Sequence, residues 1–158
     1  MRVGFGFDAH GFDDSRDLVL GGVRFEGVPG LAGHSDADVL SHAIADALLG
    51  AARLGDLGDL FPNSDEWRDA SSIGLLEHTG GALRRAGWRV VNIDATVIAE
   101  RPKIGPHKAR MASNIATALD IAVGDVSVKA TSTDGLGFAG RGEGIGAMAV
   151  VLVTRAND

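Results

Sequence analysis

The chain of 158 residues contains no cysteine. Disulfides, thiolate nucleophiles and iron–sulfur clusters are therefore excluded. No apolar run is long enough to cross a bilayer, and the stretch from Ile145 to Val153 reads as a buried strand. The N-terminus has no charged segment followed by an apolar one, so no signal or transit peptide is expected and the cytoplasm is the expected compartment. Positive charge is scarce: 15 Lys and Arg stand against 21 Asp and Glu, for a net charge of −6. A general nucleic-acid binder needs a basic face, so the charge argues against that class, and neither a nucleic-acid nor a membrane partner is expected. A small anionic substrate remains open, because a bound divalent cation reverses the local sign. Proline is rare, at 4 residues, while glycine reaches 23 without a low-complexity tract. Such glycines belong to turns and close backbone approaches.

What is present reads as one domain over residues 1–158, with strands and helices interleaved. Residues 2–10 form a strand, and Leu18 to Phe25 a short hairpin around Gly21-Gly22. Gly27 to Gly33 reads as a loop. Ser35 or Asp36 is placed to cap a helix running to about Ala52. A Gly/Asp loop with a helical turn covers 55–65, and a second helix spans 71–86 up to Gly87. A long strand follows from Trp88 to Ala99, a tight loop from Pro102 to Pro106, and a third helix over 107–119. Strands at 126–130 and 145–154 flank a Gly-rich loop. The fold class is α/β (α+β), a sheet with helices on one face.

Three constellations carry chemistry. Asp8 and His10 are two apart on a strand and share a face. His42 lies on the helix, in one stripe with Asp38 and Asp46. Two imidazoles and a carboxylate make a three-ligand set for zinc, with a fourth position open to water or substrate. Asp46, one turn beyond His42, is placed to orient its ring. The second constellation runs from Lys129 to Gly144, with hydroxyls at Thr131, Ser132 and Thr133 among glycines and charges. Its amides, hydroxyls and Arg141 suit a phosphate, and Asp134 and Glu143 suit Mg²⁺. The Gly-x4-Gly-Lys-Ser/Thr order of a P-loop is absent. The third is Ala99-Glu100-Arg101-Pro102-Lys103-Ile104-Gly105-Pro106-His107, a proline-stiffened loop whose backbone could meet a base edge.

Several ordered motifs now stand together: Gly6-Phe7-Asp8-Ala9-His10, Gly21-Gly22-Val23, His34-Ser35-Asp36-Ala37-Asp38, His42, and Asp46 to Gly50. Leu54 to Gly58, Leu60-Phe61-Pro62, Arg101-Pro102-Lys103, Lys129-Ala130-Thr131 and Gly137 to Gly144 follow. Through these the chain resembles the 2-C-methyl-D-erythritol 2,4-cyclodiphosphate synthase family of the non-mevalonate isoprenoid pathway, over nearly its whole length. The resemblance implies a mixed four-stranded sheet covered by helices on one face, and a homotrimer with active sites between subunits. It implies Zn²⁺ on Asp8, His10 and His42, and a second ion, Mg²⁺ or Mn²⁺, on Asp134. The implied substrate is 4-diphosphocytidyl-2-C-methyl-D-erythritol 2-phosphate. Its 2-phosphate attacks the β-phosphorus, CMP leaves, and the cyclic diphosphate forms. Asp8, His10, His34, Ser35, Asp56, Leu57, Gly58, Phe61, Pro62, Asn63, Ser64 and Asp65 match positions that bind the phosphates and the methylerythritol. Ala99 to Gly105 and Thr131 to Asp134 match the cytidine and phosphate side, and Phe138 and Arg141 match further contacts. His34 and Ser132 match positions that stabilise the transition state.

The chain departs from the common pattern at Asp134 (usually Glu), Gly135 (often Lys), Ser132 (Thr), Asn63 (often Asp) and Met148 (often a channel-facing Glu). The residues alone also fit a metal-dependent phosphohydrolase, or a nucleotide-binding trimer without turnover. Phosphoryl transfer with the nucleophile inside the substrate needs positioning and charge more than a protein nucleophile.

Overall fold

The structure is a computed structural model, and residues 1–62 and 64–156 are described below. Strand β1 runs from Arg2 to Leu20 and β2 from Val23 to Leu31. Helix α1 spans Val39–Ala52, the single turn α2 Leu57–Leu60, and α3 Ser72–Arg85. Strand β3 (Trp88–Ile98), helix α4 (Lys108–Leu119) and strand β4 (Val126–Thr131) follow. The turn α5 (Gly137–Gly140) and strand β5 (Gly144–Arg155) complete the order.

The sheet has five strands in the order β2-β1-β5-β3-β4, not the expected four. The difference lies in β1, which is continuous over 19 residues and serves two neighbours. Arg2 to Gly11 pair with β5, and Phe12 to Leu20 pair with β2. Most of the span 27–33, expected as a loop, belongs to β2, whose second half is residues 27–31. Its glycines and Pro29 are tolerated because β2 is an edge strand with one side free of ladder bonds. Only β3 and β4 run parallel, joined through α4.

The helices cover one face, as expected. Alternation along β1 decides which. Gly4 and Gly6 face α1 and are buried, while Val3, Phe5 and Phe7 face away and are exposed. A Cβ at Gly4 would lie 1.9 Å from the Ala47 carbonyl oxygen, and one at Gly6 would lie 2.0 Å from that of Ala43. Only glycine admits the helix this closely. The same alternation continues to Asp8 and His10, so both side chains arrive on the helix side.

Helix α1 is capped by Asp38, not by Ser35 or Asp36. One Asp38 oxygen accepts from Ser41 N–H at 3.1 Å and Gly21 N–H at 2.9 Å. The other accepts from Gly22 N–H at 2.9 Å and the Ser41 hydroxyl at 2.8 Å. The cap thus binds the β1–β2 turn to the helix start. Burial pushes the Asp38 carboxyl up, with nearby Asp36 adding to it, while the amide donors pull the other way. The helix is buried nearly all round, which its Ala-rich sequence permits.

Candidate functional site

Strand β1 and helix α1 bring Asp8, His10 and His42 together, with one ligand atom from each lying within 4.8 Å of the others. It is the one such group of three among the described residues. Asp8 Oδ2 lies 3.1 Å from His10 Nε2 and 2.9 Å from His42 Nδ1.

The far side of each ring tells which nitrogen faces the group. His10 Nδ1 is bonded to the carbonyl of Ala32, which can only accept, so the proton sits on Nδ1. His10 Nε2 then presents a lone pair to Asp8. His42 Nε2 lies 3.0 Å from the Ser35 hydroxyl and 2.9 Å from that of Ser72. A proton on Nε2 leaves the Nδ1 lone pair aimed at Asp8. Three lone-pair atoms then converge on one point, and a cation is what such a set accommodates. The donor set therefore fits a borderline divalent metal such as zinc. The charges agree. Burial works to raise Asp8, but the two imidazoles outweigh it and hold its carboxyl far below the usual range. Contact with Asp8 raises His10 against the effect of burial.

Above this group lies a cavity of about 390 Å³. Its walls include Asp8, His10, His34, Ser35, His42, Leu57 and Phe61, all expected site residues, together with Trp67 and Leu75. His34 Nε2 donates to the Ser64 carbonyl at 2.7 Å, which fixes its ring in the wall. Asp56 caps the turn that presents Leu57 and Gly58. Asp65 pairs with Arg68 at 2.8 Å. Pro62 follows Phe61 out of the cavity wall, and Asn63 lies outside the described residues.

Asp46 does not orient His42. Although it lines the cavity, its Oδ1 accepts the Leu57 N–H at 2.7 Å, and Ser35 and Ser72 hold the His42 ring instead. Asp36, Ser72, Arg16 and Trp67 are the residues that sequence reasoning missed. Arg16 donates to the carbonyls of Gly33 and Ser35 and so fixes the segment carrying His34.

The other expected residues form a separate group. Ala99 N–H donates to the Thr131 carbonyl at 3.0 Å, joining the two loops. Glu100 Oε1 accepts from Thr133 N–H at 3.0 Å, Thr133 Oγ1 at 3.2 Å and Gly135 N–H at 3.2 Å. These amides hold the Glu100 carboxyl below its ordinary value. Glu100 is thus a clamp between the loops. Thr131 bonds the Ser132 carbonyl at 3.2 Å, and the Ser132 hydroxyl donates to Asp134 at 3.1 Å. Asp134 itself has a positive φ of 52°. Ile104 is buried, while Glu100, Arg101, Lys103, Gly105, Thr131, Ser132 and Asp134 are exposed. None of residues 99–105 or 131–134 reaches the cavity wall. Phe138 lines a neighbouring cleft with Ala9, His10 and Glu143, and Arg141 pairs with Glu143 at 2.7 Å.

Residues 1–154 match the YgbB family. The chain belongs to the YgbB family. It is 57% identical over 157 residues to the 2-C-methyl-D-erythritol 2,4-cyclodiphosphate synthase of Syntrophomonas wolfei, covering 99% of this chain and 100% of that one. Identity to the synthase of Syntrophobacter fumaroxidans is 55%, covering 97% of each chain. Among solved structures, the bifunctional IspDF of Campylobacter jejuni superposes with a TM-score of 0.93 at 42% identity, over 99% of this chain. This chain spans 43% of that bifunctional protein. IspF of Plasmodium falciparum, solved as a CDP complex, gives a TM-score of 0.85 at 32% identity, over 98% of this chain and 96% of that one. For this YgbB family member, no helix among the described residues is long and apolar enough to cross a membrane.

Proposed function

We propose that the chain is a 2-C-methyl-D-erythritol 2,4-cyclodiphosphate synthase of isoprenoid precursor biosynthesis. It converts 4-diphosphocytidyl-2-C-methyl-D-erythritol 2-phosphate into the cyclic 2,4-diphosphate and CMP. The observation that carries this reading is the convergence of Asp8, His10 and His42 on the cavity floor, in a chain matching such synthases end to end. In the reaction an oxygen of the 2-phosphate bonds to the β-phosphorus, and the bond from that phosphorus to the α–β bridging oxygen breaks. That oxygen leaves with CMP, so no protein nucleophile and no water are consumed.

Asp8, His10 and His42 would hold Zn²⁺, and Asp134 together with the substrate's phosphates would hold Mg²⁺ or Mn²⁺. A divalent ion there supplies positive charge that polarises and neutralises phosphate oxygens. The protein does the positioning. Leu57, Phe61 and Trp67 wall the space for the methylerythritol carbons. His34, fixed by Ser64, and the exposed Ser132 hydroxyl stabilise the charge that grows on the transferring phosphoryl group. The backbone of residues 99–105 takes the cytosine edge, and Thr131 to Asp134 the phosphates.

Both halves serve one substrate only if a loop from one copy covers the cavity of another. The homotrimer supplies this. Its contact surface is the open face of the sheet, where Phe5 stands opposite Val150 and Phe7 opposite Met148. Phe5 is 62% exposed and Phe7 46%, an unusual amount of aromatic surface for a chain acting alone.

The test is phosphorus NMR of purified protein with this substrate, Zn²⁺ and Mg²⁺. Two coupled signals of a cyclic diphosphate, beside CMP, are expected. Linear phosphate products would replace the reading with a hydrolase, and unchanged substrate with a nucleotide-binding protein.

A further inference from the structure

We propose that Asp36 and Ser72 are positioning residues that decide which nitrogen of His42 carries the proton, and so make Nδ1 the metal-binding atom. The proposal rests on the metal reading above and assigns a cause to one of its ligands.

Asp36 lies in the segment between β2 and α1, and Ser72 is the first residue of α3. Asp36 Oδ2 accepts the Ser72 N–H at 2.9 Å, and its Oδ1 accepts the Ser72 hydroxyl. Ser72 Oγ also lies 2.9 Å from His42 Nε2. Ser72 and His42 are buried, at 0% and 7% exposure, so water does not compete for these groups.

Ser72 sets the direction of the proton chain on the Nε2 side of the ring, while Asp8 Oδ2 lies 2.9 Å from Nδ1 on the other side. A carboxylate only accepts, so the single hydroxyl proton of Ser72 points to Asp36. Ser72 Oγ can then only accept from His42, and the ring must carry its proton on Nε2. The Ser35 hydroxyl, 3.0 Å from the same nitrogen, already accepts the Ala37 N–H at 3.2 Å. With the opposite tautomer, the lone pairs of Nε2 and Ser72 Oγ would face each other in a buried space. Ligand histidines commonly give their second N–H to a carboxylate directly. Here a serine hydroxyl is interposed, and it links the helix carrying His42 to the start of α3.

Asp36→Asn should reverse this chain of protons. Each Asp36 oxygen accepts one backbone N–H, Ser72 at 2.9 Å and Asp38 at 3.2 Å, and the carbonyl oxygen of the new amide keeps the shorter of the two, that to Ser72. The amide NH₂ then faces Ser72 Oγ and donates to it. The Ser72 proton turns to His42 Nε2, and the ring proton moves to Nδ1, where the metal belongs. Asp36→Asn and Ser72→Ala should each weaken zinc binding by about 10–100-fold, the usual cost of losing a partner of a ligand histidine. In the Ser72→Ala background, Asp36→Asn should add little, because its effect passes through the missing hydroxyl.

The experiment has two readouts. Zinc affinity is measured by competition with a chelator in wild type, the two single variants and the double variant. Nitrogen-15 shifts of the His42 ring are recorded in metal-free wild type and Asp36→Asn, at a pH where the ring is neutral. The expected result is Nε2–H in wild type, Nδ1–H in Asp36→Asn, and non-additive losses of affinity. A wild-type ring protonated at Nδ1 would overturn the relay without any variant. So would equal zinc affinity in all four proteins. If wild type takes up no zinc while its ring is Nε2–H, the metal reading fails and the relay stands.

Discussion

The cavity floor and the loop group are built in opposite ways. The floor rests on the sheet and α1, with His42 and Ser72 buried and each ring nitrogen given a fixed partner. The loops at 99–105 and 131–135 are largely exposed, and their polar groups bond mostly to one another. The floor is complete within one chain, whereas the loops have nothing of that chain's cavity beneath them. Preorganisation favours placing a metal where the frame is rigid. In the proposed trimer, the substrate's far end is met by adaptable groups supplied from another copy.

The comparison breaks most sharply at the floor. His42→Ala should abolish tight zinc binding and lower turnover on the order of a thousandfold or more, since several kcal/mol of charge stabilisation are lost. The proposed trimer should persist, as sedimentation would show. Full activity in that variant without metal would remove zinc from the account. Phe5→Asp attacks the other side of the argument. A charge on the 62% exposed Phe5 should leave the monomer folded and its zinc bound. The copies should separate, and turnover should fall with them. A monomer with undiminished activity would show that the loops are not shared.

Much of the floor was legible from local spacing. A strand's period of two placed Asp8 beside His10 and, with Gly4 and Gly6, told which face meets α1. Helical spacing then presented His42. Non-local partners were not legible. Asp38 rather than Ser35 or Asp36 caps α1 because the amides of Gly21 and Gly22 converge on the same carboxylate. Asp46 sits on the expected stripe, but Leu57 claims it. Ser72 reaches His42 across a separation of 30 residues that no local pattern marks. The hairpin around Gly21-Gly22 was legible, but its second strand runs on to Leu31 although Gly27, Pro29 and Gly30 signal a loop, because an edge position overrides that signal.

Two smaller effects sharpen the contrast. Asp38→Asn replaces one acceptor oxygen of a buried carboxylate with a donor facing other donors. It should cost about 1–3 kcal/mol of stability, read by urea unfolding. An unchanged midpoint would mean that the frame does not depend on this cap. Asp134→Ala, on the loop side, should leave zinc and stability unchanged. It should raise the Mg²⁺ needed for half-maximal activity by roughly tenfold, about the worth of one charge-assisted contact. An identical Mg²⁺ titration would remove Asp134 from the second ion.

The most direct test of a site divided between copies is to mix two inactive variants. His42→Ala has an intact loop and a defective floor. Ser132→Ala combined with Asp134→Ala has an intact floor and a defective loop. Refolded together into mixed assemblies of the proposed trimer, they should regain a substantial fraction of wild-type turnover, because some sites then pair a sound floor with a neighbour's sound loop. Activity that stays at the sum of the two separate proteins would contradict the account.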